Sequence, residues 1–135
     1  MSLAARIREE GARLASACTA CGACVAACPM LAYAPAAGMA EPGVTAFGMR
    51  DLLAGGEGNA PGLAWVGACA RSGLCSAACP EGLDAALMLR FAQMRAKGAL
   101  GETPRLAVSQ DSGFSARVKA FARLTLTDEE QAQWL

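Results

Sequence analysis

Seven cysteines fall in two short stretches of the 135-residue chain, and their spacing is its most chemically specific feature. The first stretch runs Cys18-Thr-Ala-Cys21-Gly-Ala-Cys24-Val-Ala-Ala-Cys28-Pro29. The second runs Cys69-Ala-Arg-Ser72-Gly-Leu-Cys75-Ser-Ala-Ala-Cys79-Pro80. Laid over one another, Cys18 meets Cys69, Cys24 meets Cys75, Cys28 meets Cys79, and Pro29 meets Pro80. Only Cys21 finds no sulfur; its counterpart is Ser72. The first stretch has the spacing C-x2-C-x2-C-x3-C-P. In that pattern three thiolates converge on one iron–sulfur cluster, and the fourth, a helical turn further on, ligates the other cluster of a pair. The expected donor sets therefore cross. Cys18, Cys21, Cys24 and Cys79 would hold one [4Fe–4S] cluster; Cys28, Cys69 and Cys75 would hold the second. Zinc is the rival metal, but structural zinc favours paired CxxC units with four ligands each, often including histidine. A run of four and then three, each closing in Cys-Pro, points to iron.

Ser72 admits three readings. It is a small polar residue beside an iron-vacant corner, and the second cluster is [3Fe–4S]. Or its oxygen ligates a fourth iron, and the chain carries two [4Fe–4S] clusters. Or a fourth iron has an open position for the Lewis-acid chemistry of a hydratase-like enzyme. A protonated hydroxyl is a poor ligand beside soft thiolates, which favours the first reading over the second. The third needs acid–base groups and a substrate pocket, and the motif offers only Arg71 and Glu81, no histidine and too little protein to enclose a substrate, which ranks it last.

Composition narrows the choices further. Twelve basic residues balance twelve acidic ones, so no net field draws in nucleic acid or anionic lipid. The chain has no histidine, which excludes imidazole proton shuttles, histidine-ligated haem and Rieske centres. No catalytic residue emerges, and the chain reads as non-catalytic by itself. Aromatic residues are few, so large apolar bulk is scarce and a structural cofactor would help the fold. An odd cysteine count argues against a complete disulfide framework. Arg6, Arg8, Glu9, Glu10 and Arg13 interrupt any apolar core of a secretory signal, so the expected compartment is the reducing cytoplasm. Leu14 to Ala40 is uncharged and long enough to suggest a membrane span. Its four cysteines, Gly22, Pro29, Pro35 and Gly38 instead mark a buried segment around a cofactor. Membrane contact is then expected only through a partner.

The elements that position the motifs read as helices, and no strand pattern of useful length occurs, so the fold class is all-α. Ser2 caps a first helix to about Ala17, with Leu3, Ile7 and Leu14 on one face and Gly11 as a weak point. Val25 to Cys28 forms a helical turn that Pro29 ends. Residues 30–43 read as loop. Thr45 caps a helix to about Ala54, closed by Gly55-Gly56. Gly58 to Gly62 resets the chain, and a helix from Leu63 to Ala70 delivers Cys69. Asp84 caps a helix from Ala85 to Lys97, stopped by Gly98, with Leu87, Phe91 and Met94 on one face and Arg90, Gln93 and Lys97 on another. Residues 1–101 form the cysteine-bearing domain. Residues 102–135 form a helical arm with breakers at Thr103-Pro104 and Gln110 to Gly113. Its first helix runs from Ser115 to Leu124, with Phe114, Val118 and Phe121 on one side. Thr127 to Glu130 has capping-box spacing before a last turn ending Trp134-Leu135. The arm is either packed on its own domain or a docking segment anchored by Trp134. Val25, Met30, Leu31, Leu74 and Leu83 read as apolar cover for the clusters. Trp65 reads as packing rather than an electron relay, and Gly22 and Gly73 let the backbone approach the sulfurs.

Over about residues 1–100 these motifs resemble the α-helical ferredoxin domain. That domain occurs in the C-type subunit of heterodisulfide reductase and in the iron–sulfur subunits of succinate dehydrogenase and fumarate reductase. Related proteins serve anaerobic glycerol-3-phosphate and glycolate dehydrogenases. The resemblance implies an α-helical ferredoxin-like domain built around two clusters that relay single electrons between a catalytic subunit and an acceptor. The C-type heterodisulfide reductase protein typically has two complete four-cysteine motifs. A second motif without its second cysteine is similar to succinate dehydrogenase, where that site holds a [3Fe–4S] cluster of more oxidising potential. The plant-type [2Fe–2S] domain of the succinate dehydrogenase protein has no counterpart in the sequence. The implied partners are a flavoprotein dehydrogenase or a protein like the B-type subunit of heterodisulfide reductase. The alternatives are a redox- or iron-sensing protein, or the hydratase-like enzyme; no basic face supports a DNA-binding sensor.

Overall fold

A computed structural model describes residues 1–106 and 114–134. Gln110 to Gly113 and Leu135 lie outside the described residues. The described chain is helical, with no strand. Helix α1 spans Leu3–Ala17; the Ala5 N–H donates to the Ser2 hydroxyl at 3.1 Å, as a side-chain N-cap should. Its Leu14 is buried, whereas Leu3 is exposed. Helix α2 spans Ala23–Ala26. The following stretch is not loop throughout: a 3-10 turn covers Leu31–Tyr33, α3 covers Pro35–Gly38 and α4 covers Pro42–Leu53. Proline opens both α3 and α4, at a position where its missing N–H costs nothing.

Helix α4 therefore begins before Thr45, at the N-cap Glu41. Thr45 lies inside the helix, fully buried, and its Oγ1 has no hydrogen-bond partner. Helix α5, Ala60–Ala68, also starts earlier than its apolar run suggests, because the Asn59 side chain accepts from the Gly62 N–H at 2.7 Å. The same amide donates to the Val44 carbonyl at 3.0 Å, pinning α5 to α4. A Cβ on Gly48 would stand 2.0 Å from Asn59 Oδ1, so the close approach of these two helices excludes a side chain there. Helix α6 spans Leu74–Ala78 and α7 spans Ala85–Ala96, capped by Asp84 accepting from the Leu87 N–H at 3.1 Å.

The core lies where α4, α5 and α7 meet, with α1 laid against α4 and α7. Trp65, Met49, Leu52, Leu53, Met88 and Val66 are fully buried there. Side chains of this size contribute roughly 1.5–3 kcal/mol each when removed from water. The buried stripe of α7 is Ala85, Met88, Leu89, Ala92 and Ala96; Leu87, Phe91 and Met94 are only half-buried. After α7 the chain folds back: Arg105 and Leu106 donate their N–H groups to the Ala96 carbonyl, and Glu102 pairs with Arg95 at 3.2 Å and Arg8 at 3.5 Å.

Helices α8, Phe114–Thr125, and α9, Asp128–Trp134, pack on each other. Between them the capping box forms in both directions: Thr127 N–H donates to Glu130 Oε2 at 2.9 Å, and Glu130 N–H to Thr127 Oγ1 at 3.2 Å. Val118, Phe121, Leu124 and Trp134 are exposed. No helix among the described residues is long and apolar enough to cross a membrane.

Candidate metal centres

Each cysteine stretch folds in the same way. A helix ends on the first cysteine: Cys18 is the C-cap of α1 and Cys69 that of α5. Two residues on, the backbone turns left-handed, at Ala20 (φ 56°) in the first stretch and Arg71 (φ 62°) in the second. That turn aims an amide back at the first sulfur: Ala20 N–H donates to Cys18 Sγ and Arg71 N–H to Cys69 Sγ, each at 3.4 Å. Left-handed residues outside glycine cost about 1–2 kcal/mol, so the turn reflects a demand of the motif. Successive N–H groups in such a turn form the concave nest that suits anions and iron–sulfur sulfurs. A left-handed glycine follows in both, Gly22 at φ 85° and Gly73 at φ 76°, and caps the short helices α2 and α6. At the far end Met30 N–H donates to Cys28 Sγ at 3.5 Å.

The surroundings of the two glycines differ. A Cβ on Gly22 would lie 2.5 Å from the backbone carbon of Pro42, whereas nothing stands within 4 Å of one on Gly73. The first turn of α4 thus presses on the first stretch at Gly22, while the space beside Gly73 is open. Gly73, Ser72, Arg71 and Leu74 are all exposed, and so is Cys21. Leu74 is therefore no cover over a cluster, unlike buried Val25 and Met30 or half-buried Leu31 and Leu83.

Helices α2 and α6 pack together and bring the stretches side by side. Two cavities flank the contact. The first, about 20 Å3, is lined by Cys18, Cys21, Cys24 and Cys79, with Met49, Leu83 and Met88 among its apolar walls. The second, about 270 Å3, is lined by Cys28, Cys69, Cys75 and Ser72, with Met30, Trp65 and Leu89 behind them. Each cavity thus draws cysteines from both stretches. Helix α7 is a shared wall, with Ala85 and Met88 facing the first and Leu87, Leu89, Arg90 and Gln93 facing the second.

Charge separates the cavities. Glu81 is the charged residue on the first; Arg71, Arg90 and Asp84 line the second. Asp84 Oδ1 is already engaged, accepting from the Ser76 hydroxyl at 2.9 Å as well as from Leu87 N–H. The Ser76 hydroxyl in turn accepts from Ala86 N–H at 3.0 Å, tying α6 to the start of α7. Leu74 N–H donates to Ser72 Oγ at 3.4 Å, a neutral counterpart of the amide–sulfur contacts. Sequence reasoning reached Arg71 but missed Trp65, Asp84, Arg90 and Gln93 as cavity residues. Arg90 and Gln93 look like a solvated helix face, and only their three-residue step from Leu87 hints at a common wall.

All seven cysteines are free thiols. Burial pushes Cys24 up to about 11 against the pull of the Val25 backbone N–H, and the nearby thiols Cys18, Cys75 and Cys21 add to the rise. Burial also raises Cys75, with Cys69 and Cys28 adding to it. Among the described residues no three potential ligands converge on a point suited to a single ion; the cysteines stand around cavity walls. Soft donors, reduced, with backbone amides aimed at three of their sulfurs, fit an iron–sulfur group.

A helical scaffold with paired cysteine stretches around adjoining cavities defines a ferredoxin-like iron–sulfur protein. The family described as the 4Fe–4S dicluster domain matches residues 14–83, just over half of the chain, and the chain belongs to that family. Its role is iron–sulfur electron transfer. No curated protein and no solved structure gives a significant match.

Proposed function

We propose that this chain is an electron-relay subunit of a larger cytoplasmic oxidoreductase, in which Cys18, Cys21, Cys24 and Cys79 hold a [4Fe–4S] cluster and Cys28, Cys69 and Cys75 hold a [3Fe–4S] cluster. The observation that carries the reading is the pair of adjoining cavities, each lined by cysteines from both stretches. When bound, an iron–sulfur cluster takes up and gives back single electrons. The residues around the cavities bias that traffic. Arg71 and Arg90 outweigh Asp84 at the second cavity and favour the more negative, reduced state there; Glu81 at the first does the opposite. The second site is then the more oxidising stop. Exposed Cys21 and Ser72 give each cavity a solvent-facing corner through which a partner exchanges electrons.

The partner is a flavoprotein dehydrogenase or a thiol-active protein like the B-type subunit of heterodisulfide reductase. The resemblance to the C-type protein of that enzyme and to the succinate dehydrogenase iron–sulfur protein implies this choice. Within the arm proposed for residues 102–135, helices α8 and α9 supply the docking segment; the exposed Phe121, Leu124 and Trp134 support that role. The deciding experiment is EPR with an iron count on anaerobically purified protein, before and after dithionite. About seven irons per chain, with a sharp oxidised-state signal that fades on reduction, establishes one [3Fe–4S] and one [4Fe–4S] cluster. About eight irons, EPR-silent until reduced, replaces this with two [4Fe–4S] clusters. No iron–sulfur signal at all defeats the relay.

A further inference from the structure

The repeat also aligns the residues that stand four places before each first cysteine: Leu14 in α1 meets Trp65 in α5. Both are buried, Leu14 3% exposed and Trp65 1%. Their settings differ. Leu14 is not among the walls of the first cavity, whereas Trp65 is a wall of the second, beside Cys28, Cys69 and Cys75. The indole also carries a polar atom that leucine lacks. Its N–H can only donate, and when buried it usually has a hydrogen-bond partner. In this chain it donates to no described residue. Gln93, on the same wall, is turned to the Val66 carbonyl instead, its amide nitrogen donating at 3.2 Å. Among the described residues the sealed side-chain atoms without a partner are Thr45 Oγ1 and Glu102 Oε2, and the indole nitrogen is not one of them. It therefore keeps a little open surface although the residue is almost wholly buried, and the second cavity is the opening that Trp65 borders.

We infer that the Trp65 N–H is a hydrogen-bond donor to the cluster held by Cys28, Cys69 and Cys75, and that it raises the reduction potential of that site relative to the first. The inference rests on the relay reading, which supplies the acceptor. Hydrogen bonds to cluster sulfurs are among the determinants of reduction potential. A donor facing a group that gains an electron binds the more negative, reduced form more strongly. The backbone amides of Ala20 and Arg71 serve the first cysteine of each stretch alike, so they do not set the two sites apart. The indole does, because the equivalent Leu14 has no proton to give.

The test uses the full chain, purified anaerobically with its tryptophans labelled with 15N in the indole ring. Pulsed EPR on the paramagnetic state of the second site reads coupling to 15N, and a redox titration of the same samples reads the midpoint of each site. Trp65 and Trp134 are the two indoles of the chain, and Trp134 is exposed on α9. The wild type and Trp134→Phe should show the 15N coupling, and Trp65→Phe should lose it. Trp65→Phe should also shift the reduced-to-oxidised ratio of the second site at least threefold toward oxidised, about 28 mV for a one-electron couple, and leave the first site unchanged. Trp134→Phe leaves Trp65 as the sole indole, so its coupling decides the contact even where Trp65→Phe does not assemble. A second-site signal without 15N coupling overturns the donor and leaves the relay standing, as does a shift in Trp65→Phe that is below threefold or equal at both sites. No iron–sulfur signal at all removes the relay, and the donor with it.

Discussion

Gly22 and Gly73 occupy equivalent places in the repeat with nearly the same torsion, and replacing each with alanine separates two physical effects. At either position a Cβ in the left-handed region costs about 1–2 kcal/mol. At Gly73 nothing more is added, because no atom lies within 4 Å of the new carbon. At Gly22 the new carbon meets the Pro42 backbone carbon at 2.5 Å, the Gly43 nitrogen at 2.6 Å and Pro42 Cβ at 2.7 Å. Main chain at the start of a helix cannot swing aside as a flexible side chain can, so overpacking adds about 1–3 kcal/mol. The Gly22→Ala protein should therefore be less stable than the Gly73→Ala protein by about 1–3 kcal/mol. Each kcal/mol moves the melting midpoint by roughly 3–6 °C in a chain of this size. Anaerobic thermal melts followed by circular dichroism, with the iron–sulfur absorbance recorded in the same cuvette, give both numbers. Equal midpoints for the two variants would refute the reasoning, because the strain the repeat shares would then be the whole effect.

Further outcomes follow from other contacts. Ser72→Cys should raise the iron count toward about eight and lower the midpoint potential of the second site in a redox titration; an unchanged spectrum and potential would remove Ser72 from any role in cluster type. Asp84→Ala loses the α7 cap and the Ser76 link together, an expected loss of about 2 kcal/mol, read as a lowered melting midpoint. Thr45→Val replaces a buried hydroxyl that has no partner with an apolar group of the same shape, and should stabilise the protein by about 1 kcal/mol. Stripping iron with a chelator should abolish most helical ellipticity, whereas a cooperative native-like melt of the iron-free chain would show that the core suffices alone. Iron re-uptake should be greater at pH 9 than at pH 7, because the ligand is the thiolate and burial holds the Cys24 proton up to about 11, so loading must release protons.

The cysteine stretches, the caps at Ser2 and Asp84 and the all-helical class were legible because each rests on local chemistry: a sulfur spacing, a side-chain oxygen three residues from an amide. What was hidden depends on contacts between elements. Thr45 looks like a cap in sequence, but Pro42 starts α4 earlier and tertiary packing buries the hydroxyl. Residues 30–43 read as loop because glycine and proline punctuate them, yet proline is tolerated in a first turn and two helices use it that way. On α7 the large residues Leu87, Phe91 and Met94 mark a plausible core face. The helices approach closely instead through Ala92 and Ala96, both fully buried, whose small side chains give a weak periodic signal. The wall residues Arg90 and Gln93 were invisible as such, since the cavity exists only once α5, α6 and α7 are assembled.

The crossing of the stretches also sets a clock on biosynthesis. Cys79 closes the wall of the first cavity and Cys28 that of the second. A nascent chain that has exposed only its first four cysteines therefore offers neither cavity with its full lining. The last lining residues are Met88 for the first cavity and Gln93 for the second, so both linings clear the ribosomal exit almost together. Metal delivered earlier would meet an open, incomplete set of thiols vulnerable to oxidation. The fold thus favours loading late, on a released or nearly released chain, with the two sites completed in a single event rather than in sequence.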